Sequence, residues 1–239
     1  MHVAIFVGTR PEAIKMAPVV KALRSDLRHR VSLCTTGQHR EMLSQALLDF
    51  GLESDISLDT MVHDQTLSGL TSRLVDGCDR ILDSLRPDWV LVQGDTSTVM
   101  AASLAAFYRN IKVGHVEAGL RSHEKRSPFP EEVNRKITSV LADVHFCPTN
   151  GARSNLLKEG IDPTSIVLTG NTVIDAVLWT RNNLGSPAEL LSPVVLDALH
   201  AEKKILLVTC HRRENFGQPL GRILTALRQI ATSHPECLL

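Results

Sequence analysis

Residues 2–35, HVAIFVGTRPEAIKMAPVVKALRSDLRHRVSLCT, decide the fold. Residues 2–7 are almost wholly apolar, Gly8 and Thr9 interrupt them, residues 11–24 carry a helical apolar pattern, and residues 31–35 return to a short apolar run. Such near-continuous Val, Ile and Leu content suits strands buried on both faces, as in a parallel sheet, and parallel strands need a crossover helix between them. The alternation recurs along the chain. Further strands are expected at 89–93, 112–116, 144–147, 166–169 and 205–209, and further helices at about 40–50, 66–85, 98–109, 131–141, 151–159, 173–182 and 219–232. A doubly wound α/β sheet follows. The Gly and Ser-Pro content of residues 184–193 reads as a hinge. We therefore expect a Rossmann-like domain over 1–184, a linker over 185–200, and the incomplete start of a second Rossmann-like unit over 201–239.

Composition excludes several classes. The 26 Lys and Arg are matched by 26 Asp and Glu, so no global basic field attracts nucleic acid or anionic lipid. The longest apolar stretch, near residues 99–108, is broken by Ser103 and falls short of the roughly 20 residues a membrane helix needs. The first residues, MHVAIFVGTRPE, lack the basic start of a signal peptide. The five cysteines, at 34, 78, 147, 210 and 237, are odd in number, widely spaced and without a CxxC pair. That argues against a disulfide framework or a metal site and makes a reduced, cytosolic protein the default. Neither nucleic acid nor a membrane is expected as a partner.

In open α/β sheets, ligands bind beyond the carboxyl ends of the strands. After the first strand, Thr9 or Arg10 precedes Pro11 at the start of a helix, with backbone N–H groups free to face an anion and Arg10 and Lys15 supplying charge. The segment is neither GxGxxG nor GxxxxGK, which weakens the dinucleotide-dehydrogenase and P-loop readings. Asp95 follows the strand 89–93 and would serve as a helix N-cap or a site carboxylate. Glu117 directly follows the strand 112–116, where Arg121 offers it an ion-pair partner. Glu131 and Glu132 open a helix, where the macrodipole favours them, and Glu131 stands four residues before Arg135. His211 follows the last expected strand beside Arg212 and Arg213 and could face an anionic ligand. Cys210 lies next to it, but a nucleophilic role would need an oxyanion hole and an activation geometry, neither of which is a property of sequence alone. Together these groups are equipment for acid–base chemistry on a phosphate-bearing substrate.

Seven colinear segments then resemble one family. GTRPEAIKMAPV at 8–19, TGQHREML at 36–43, QGDTSTVMAASLAAF at 93–107, VGHVEAGLRS at 113–122, PFPEEVNRKITSVLADVHFCPT at 128–149, TGNTVIDAVLW at 169–179 and VTCHRRENFG at 208–217 resemble the non-hydrolysing UDP-N-acetylglucosamine 2-epimerases. The resemblance implies a glycosyltransferase-B-like pair of Rossmann-like domains. It implies interconversion of UDP-N-acetylglucosamine and UDP-N-acetylmannosamine without a redox cofactor, by loss and re-addition of UDP through a 2-acetamidoglucal. By motif it assigns Asp95, Glu117, Glu131 and His211 to catalysis and Arg10 and Lys15 to substrate binding. Gln38, His39 and Gln65 match positions that contact a second, activating UDP-N-acetylglucosamine in bacterial members, although Glu41 and Asp64 depart from the pattern around them. Members continue past the position matching Leu239 and are usually homodimers. A related glycosyltransferase, a hydrolysing epimerase, or an inactive fragment are the alternatives.

Overall fold

The computed structural model describes Met1–Gly37, Arg40–Thr60, Val62, Asp64–Ser186, Leu190–Cys210 and Gly217–Leu239. The chain divides into two compact units, Met1–Asn182 and Asn183–Leu239.

In the first unit the elements alternate: β1 (His2–Val7), α1 (Arg10–Ser25), β2 (Arg30–Thr35), α2 (Arg40–Asp49), β3 (Ile56–Ser57), α3 (Leu67–Leu85), β4 (Trp89–Gln93), α4 (Ser97–Tyr108), β5 (Lys112–Val116), α5 (Glu131–Leu141), β6 (Val144–Cys147), α6 (Asn150–Lys158), β7 (Ile166–Leu168) and α7 (Thr172–Asn183). The strands form one parallel sheet in the order β3-β2-β1-β4-β5-β6-β7. Successive side chains of a strand point to opposite faces, and β1 shows what that requires of its sequence. Val3, Ile5 and Val7 enter one buried cluster with Ala13, Met16 and Val20 of α1 and Leu43 and Leu47 of α2. Ala4 and Phe6 enter a second with Cys78 and Leu82 of α3 and Val99, Ala102 and Ala105 of α4. Both faces of β1 are dry, which is why its apolar run does not alternate with polar residues.

Chain order reverses between β1 and β4. From β1 the chain winds outward through β2 and β3, and from β4 it winds the other way through β5, β6 and β7. This switch point opens a crevice at the carboxyl ends of the two central strands.

The second unit holds α8 (Pro193–His200), β8 (Lys204–Ile205), α9 (Gln218–Ser233) and β9 (Cys237–Leu238), with β8 parallel to β9. The strand expected at 205–209 pairs only over Lys204–Ile205, with one further bond from the Leu206 N–H to the Leu238 carbonyl at 2.8 Å. Helix α8 lies inside the stretch read as linker. Its start, Ser192 followed by Pro193 at the first helical position, is a helix-opening signal that the apparent hinge composition obscured. Among the described residues, no helix is long and apolar enough to cross a membrane.

Candidate active site at the carboxyl ends of the strands

Glu117, directly after β5, is the hub of the site. Lys15 of α1 lies 2.7 Å from both of its carboxylate oxygens, and the side-chain amides of Gln93 and Asn171 donate to it, the latter at 2.8 Å. Four strands thus send a group to one point, since Lys15 follows β1, Gln93 ends β4 and Asn171 follows β7. Glu117 itself has a φ of 65°, a left-handed backbone that side chains other than glycine adopt at a cost of roughly 1–3 kcal/mol. That turn swings its carboxylate over the strand ends.

Asp95 stands one strand away, and the turn carrying it is held from several sides. The Gly94 N–H donates to the Val116 carbonyl at 3.0 Å, and the Gly94 carbonyl accepts from Nε2 of buried His115 at 2.7 Å. The Asp95 carbonyl accepts from Asn134 at 2.9 Å, and its carboxylate pairs with Arg135 at 2.7 Å. Burial pushes the Asp95 carboxyl above its ordinary range. Arg135 pulls it back, the neighbouring Glu131 and Glu117 push it further up, and Lys15 opposes them. Asp95 therefore lies within electrostatic reach of both Glu131 and Glu117. Oε2 of Glu131 is buried without a hydrogen-bond partner among the described residues.

Several sequence-based expectations are corrected. Asp95 is not the N-cap of α4; Thr96 is, its hydroxyl accepting from the Val99 N–H at 3.4 Å. Glu117 does not pair with Arg121, which is engaged by Glu159 at 2.7 Å. Arg135 turns away from Glu131 towards Asp95 and Glu132. Nor are the N–H groups at the start of α1 all free, because those of Gly8 and Thr9 donate to the carboxylate of Glu12. The corrections at Glu117 and Arg135 share one cause: a neighbour in sequence was offered as the partner, while folding supplied Lys15 of α1 to Glu117 and the Asp95 turn to Arg135.

Arg10 is exposed at the start of α1. Gln65 accepts from Arg73 and, at 3.3 Å, from the Val62 N–H. His211, Arg212 and Arg213, and Gln38 and His39, lie outside the described residues. Glu12, Gln93, Asn134 and Asn171 were not singled out from sequence, and Arg135 was named only as a helix partner for Glu131. Asn171 follows β7 after Gly170, so the rule that located Asp95 and Glu117 would have reached it too.

The model of the family described as UDP-N-acetylglucosamine 2-epimerase matches residues 21–239. The chain belongs to this family. The UDP-N-acetylglucosamine 2-epimerase of Escherichia coli K12 is 49% identical over 238 residues, 99% of this chain and 63% of the relative. A solved structure from Listeria monocytogenes is 46% identical with a TM-score of 0.91, over 99% of this chain and 61% of that one. The UDP-GlcNAc 2-epimerase of Neisseria meningitidis, solved bound to UDP-GlcNAc, is 42% identical with a TM-score of 0.87, over 99% of this chain and 64% of that one. A lipopolysaccharide outer core galactosyltransferase, 14% identical with a TM-score of 0.51 over 72% of this chain, shares the fold alone. The architecture of this epimerase-family chain is accordingly glycosyltransferase-B-like, and the chain spans under two thirds of the length of these epimerase relatives.

Proposed function

We propose that the first unit of this chain supplies the acid–base half of a non-hydrolysing UDP-N-acetylglucosamine 2-epimerase. The observation that carries the reading is the convergence of Asp95, Glu117 and Glu131 on one crevice, in a chain of that family. Inverting C2 of the sugar means removing a weakly acidic proton from one face and returning one to the other, so acid–base groups are needed on both sides of the ring. As the base takes the C2 proton, the C1–oxygen bond breaks, its electron pair leaves with UDP, and a C1–C2 double bond remains in a 2-acetamidoglucal. Re-addition of UDP at C1, with a proton delivered to the opposite face of C2, gives UDP-N-acetylmannosamine. Asp95, Glu117 and Glu131 exchange the protons, and Lys15 and Arg10 offset the charge of the departing diphosphate. The three are proposed as a set, with no carboxylate assigned to one face of the ring. His211 is assigned to the same reaction by its motif.

The test is incubation with UDP-N-acetylglucosamine in heavy water, using this chain and, in parallel, the chain completed with the remainder of the E. coli relative. The completed protein is expected to place deuterium at C2 and to yield a mixture of the two UDP-sugars. A folded completed protein that leaves C2 unlabelled, or that releases free N-acetylmannosamine, overturns the reading.

A further inference from the structure

The switch-point crevice between β1 and β4 is where a sheet of this kind ordinarily receives the anionic part of a ligand. Here a side chain of the protein is already in it. Glu12, in the first turn of α1, is 2% exposed. Its Oε2 accepts the Gly8 N–H at 2.7 Å and the Thr9 N–H at 2.6 Å, and its Oε1 accepts the Thr96 hydroxyl at 2.6 Å. Gly8 and Thr9 form the turn after β1, whereas Thr96 adjoins Asp95 in the turn after β4. One carboxylate therefore ties the turn leading to Arg10 and Lys15 to the turn bearing Asp95.

We propose that Glu12 is a positioning residue: a resident anion that fills the crevice between β1 and β4 and fixes the Asp95 turn against the start of α1. A backbone N–H can donate but cannot accept, so the two that share Oε2 require an accepting oxygen there and bond most strongly to an ionised carboxylate. Burial raises the Glu12 carboxyl above its ordinary range, and the donors from Thr96, Gly8 and Thr9 offset only part of that rise. With those donors engaged, an anionic substrate is met one strand further along, where Lys15 faces Glu117. The catalytic meaning of this placement rests on the epimerase reading above; the occupancy of the crevice does not.

Three measurements on the intact chain test it without substrate. First, the Glu12 side-chain carbon resonance at neutral pH is expected at the position of an ionised carboxylate; a protonated signature overturns the resident anion. Second, Glu12→Ala leaves a small space lined by the same donors, so formate is expected to raise the melting temperature of Glu12→Ala while leaving that of the parent unchanged. An equal response of the two proteins, or none, overturns the assignment. Third, should Glu12→Ala not fold, Glu12→Gln keeps the shape and removes the charge. In Glu12→Gln the amide protons of Gly8 and Thr9 are expected to shift upfield, and the carboxyl titration of Asp95, which Glu12 does not touch, to move with them. An unaltered Asp95 titration limits Glu12 to a structural bond and overturns the positioning role. Because none of these readouts involves a sugar nucleotide, failure here and failure of C2 labelling are separable.

Discussion

Lys15 and Glu117 are 102 residues apart in sequence, yet the ammonium of one lies 2.7 Å from both carboxylate oxygens of the other. The pair joins the second turn of α1 to the end of β5 and leaves Lys15 about a quarter exposed. It is thus reachable from the crevice while holding Glu117 in place.

Glu117→Gln keeps the side-chain volume but cannot take a proton. In the completed protein, C2 labelling in heavy water is expected to slow by about 10²–10⁴-fold, the usual range for loss of a positioned acid or base. Melting is expected to fall modestly, because the amide oxygen still accepts from Lys15 and Asn171 while the new amide NH2 replaces the oxygen that accepted from Gln93. Labelling within a few-fold of the parent would remove Glu117 from proton transfer.

Glu132 is expected to matter for stability. It is fully buried, accepts the Ser122 and His123 N–H groups at 3.0 and 3.1 Å, and pairs with Arg135 at 3.2 Å. Burial pushes its carboxyl up, but these bonds and Arg135 outweigh burial and hold it below its ordinary 4.5. A group with a depressed folded value contributes stability that is fully present above its unfolded value and is lost as pH falls through the folded one. Glu132→Ala should therefore cost about 3–5 kcal/mol near neutrality by leaving Arg135 half-unpaired in the interior, and the deficit should narrow in acid. Urea melts of both proteins across this range provide the check; a deficit independent of pH contradicts the account.

His115 gives a second pH dependence. Burial pushes its imidazole down to about 4 from 6.5, the bond to the Gly94 carbonyl opposing and His145, Arg121 and Arg135 adding to the fall. Neutral in the folded protein but able to charge when unfolded, it makes no demand above pH 6.5 and withdraws stability as pH falls from there through about 4. The full effect is roughly 3 kcal/mol. His145 is shifted the same way, so His115→Gln should flatten this slope without abolishing it. Chemical denaturation at several pH values measures the slope, and an unchanged one in His115→Gln would count against it.

Gly119 sits at φ 87°, and a Cβ there would run into the carbonyl oxygen of Ala152, a backbone atom of α6. Gly119→Ala is expected to cost about 1–3 kcal/mol from the dihedral alone, with the clash in addition. Gly160→Ala is a control, having positive φ but open space around it. If calorimetry finds both variants equally stable, the close approach of the loop to α6 is wrong.

Much of the architecture was legible in the sequence because strands of a buried parallel sheet are mostly apolar, with isolated polar residues such as Gln93, His115 and His145 too few to break the pattern. The bounds of β1, β4, β5 and β6 were read as they stand, His2–Val7, Trp89–Gln93, Lys112–Val116 and Val144–Cys147. Strand β3 was missed because two residues, Ile56 and Ser57, set up no period. In the site, Asp95 and Glu117 could be found because strand ends are marked by punctuation such as Gly94 and Gly119. Their partners could not, since the choice of Arg135 for Asp95 and Lys15 for Glu117 is made by strand order. Nothing near Glu12 in sequence names Thr96, 84 positions away, as its partner.

The strand order has a further consequence, for the time at which the site comes into being. Glu117 receives Lys15 from 102 residues before it and Asn171 from 54 residues after it, and both contacts wait on parallel pairings that local helix formation cannot supply. Non-local pairings of this kind form slowly. During refolding, helical content should therefore recover well ahead of the Lys15–Glu117–Asn171 cluster, so that a half-formed molecule presents helices but no reactive crevice.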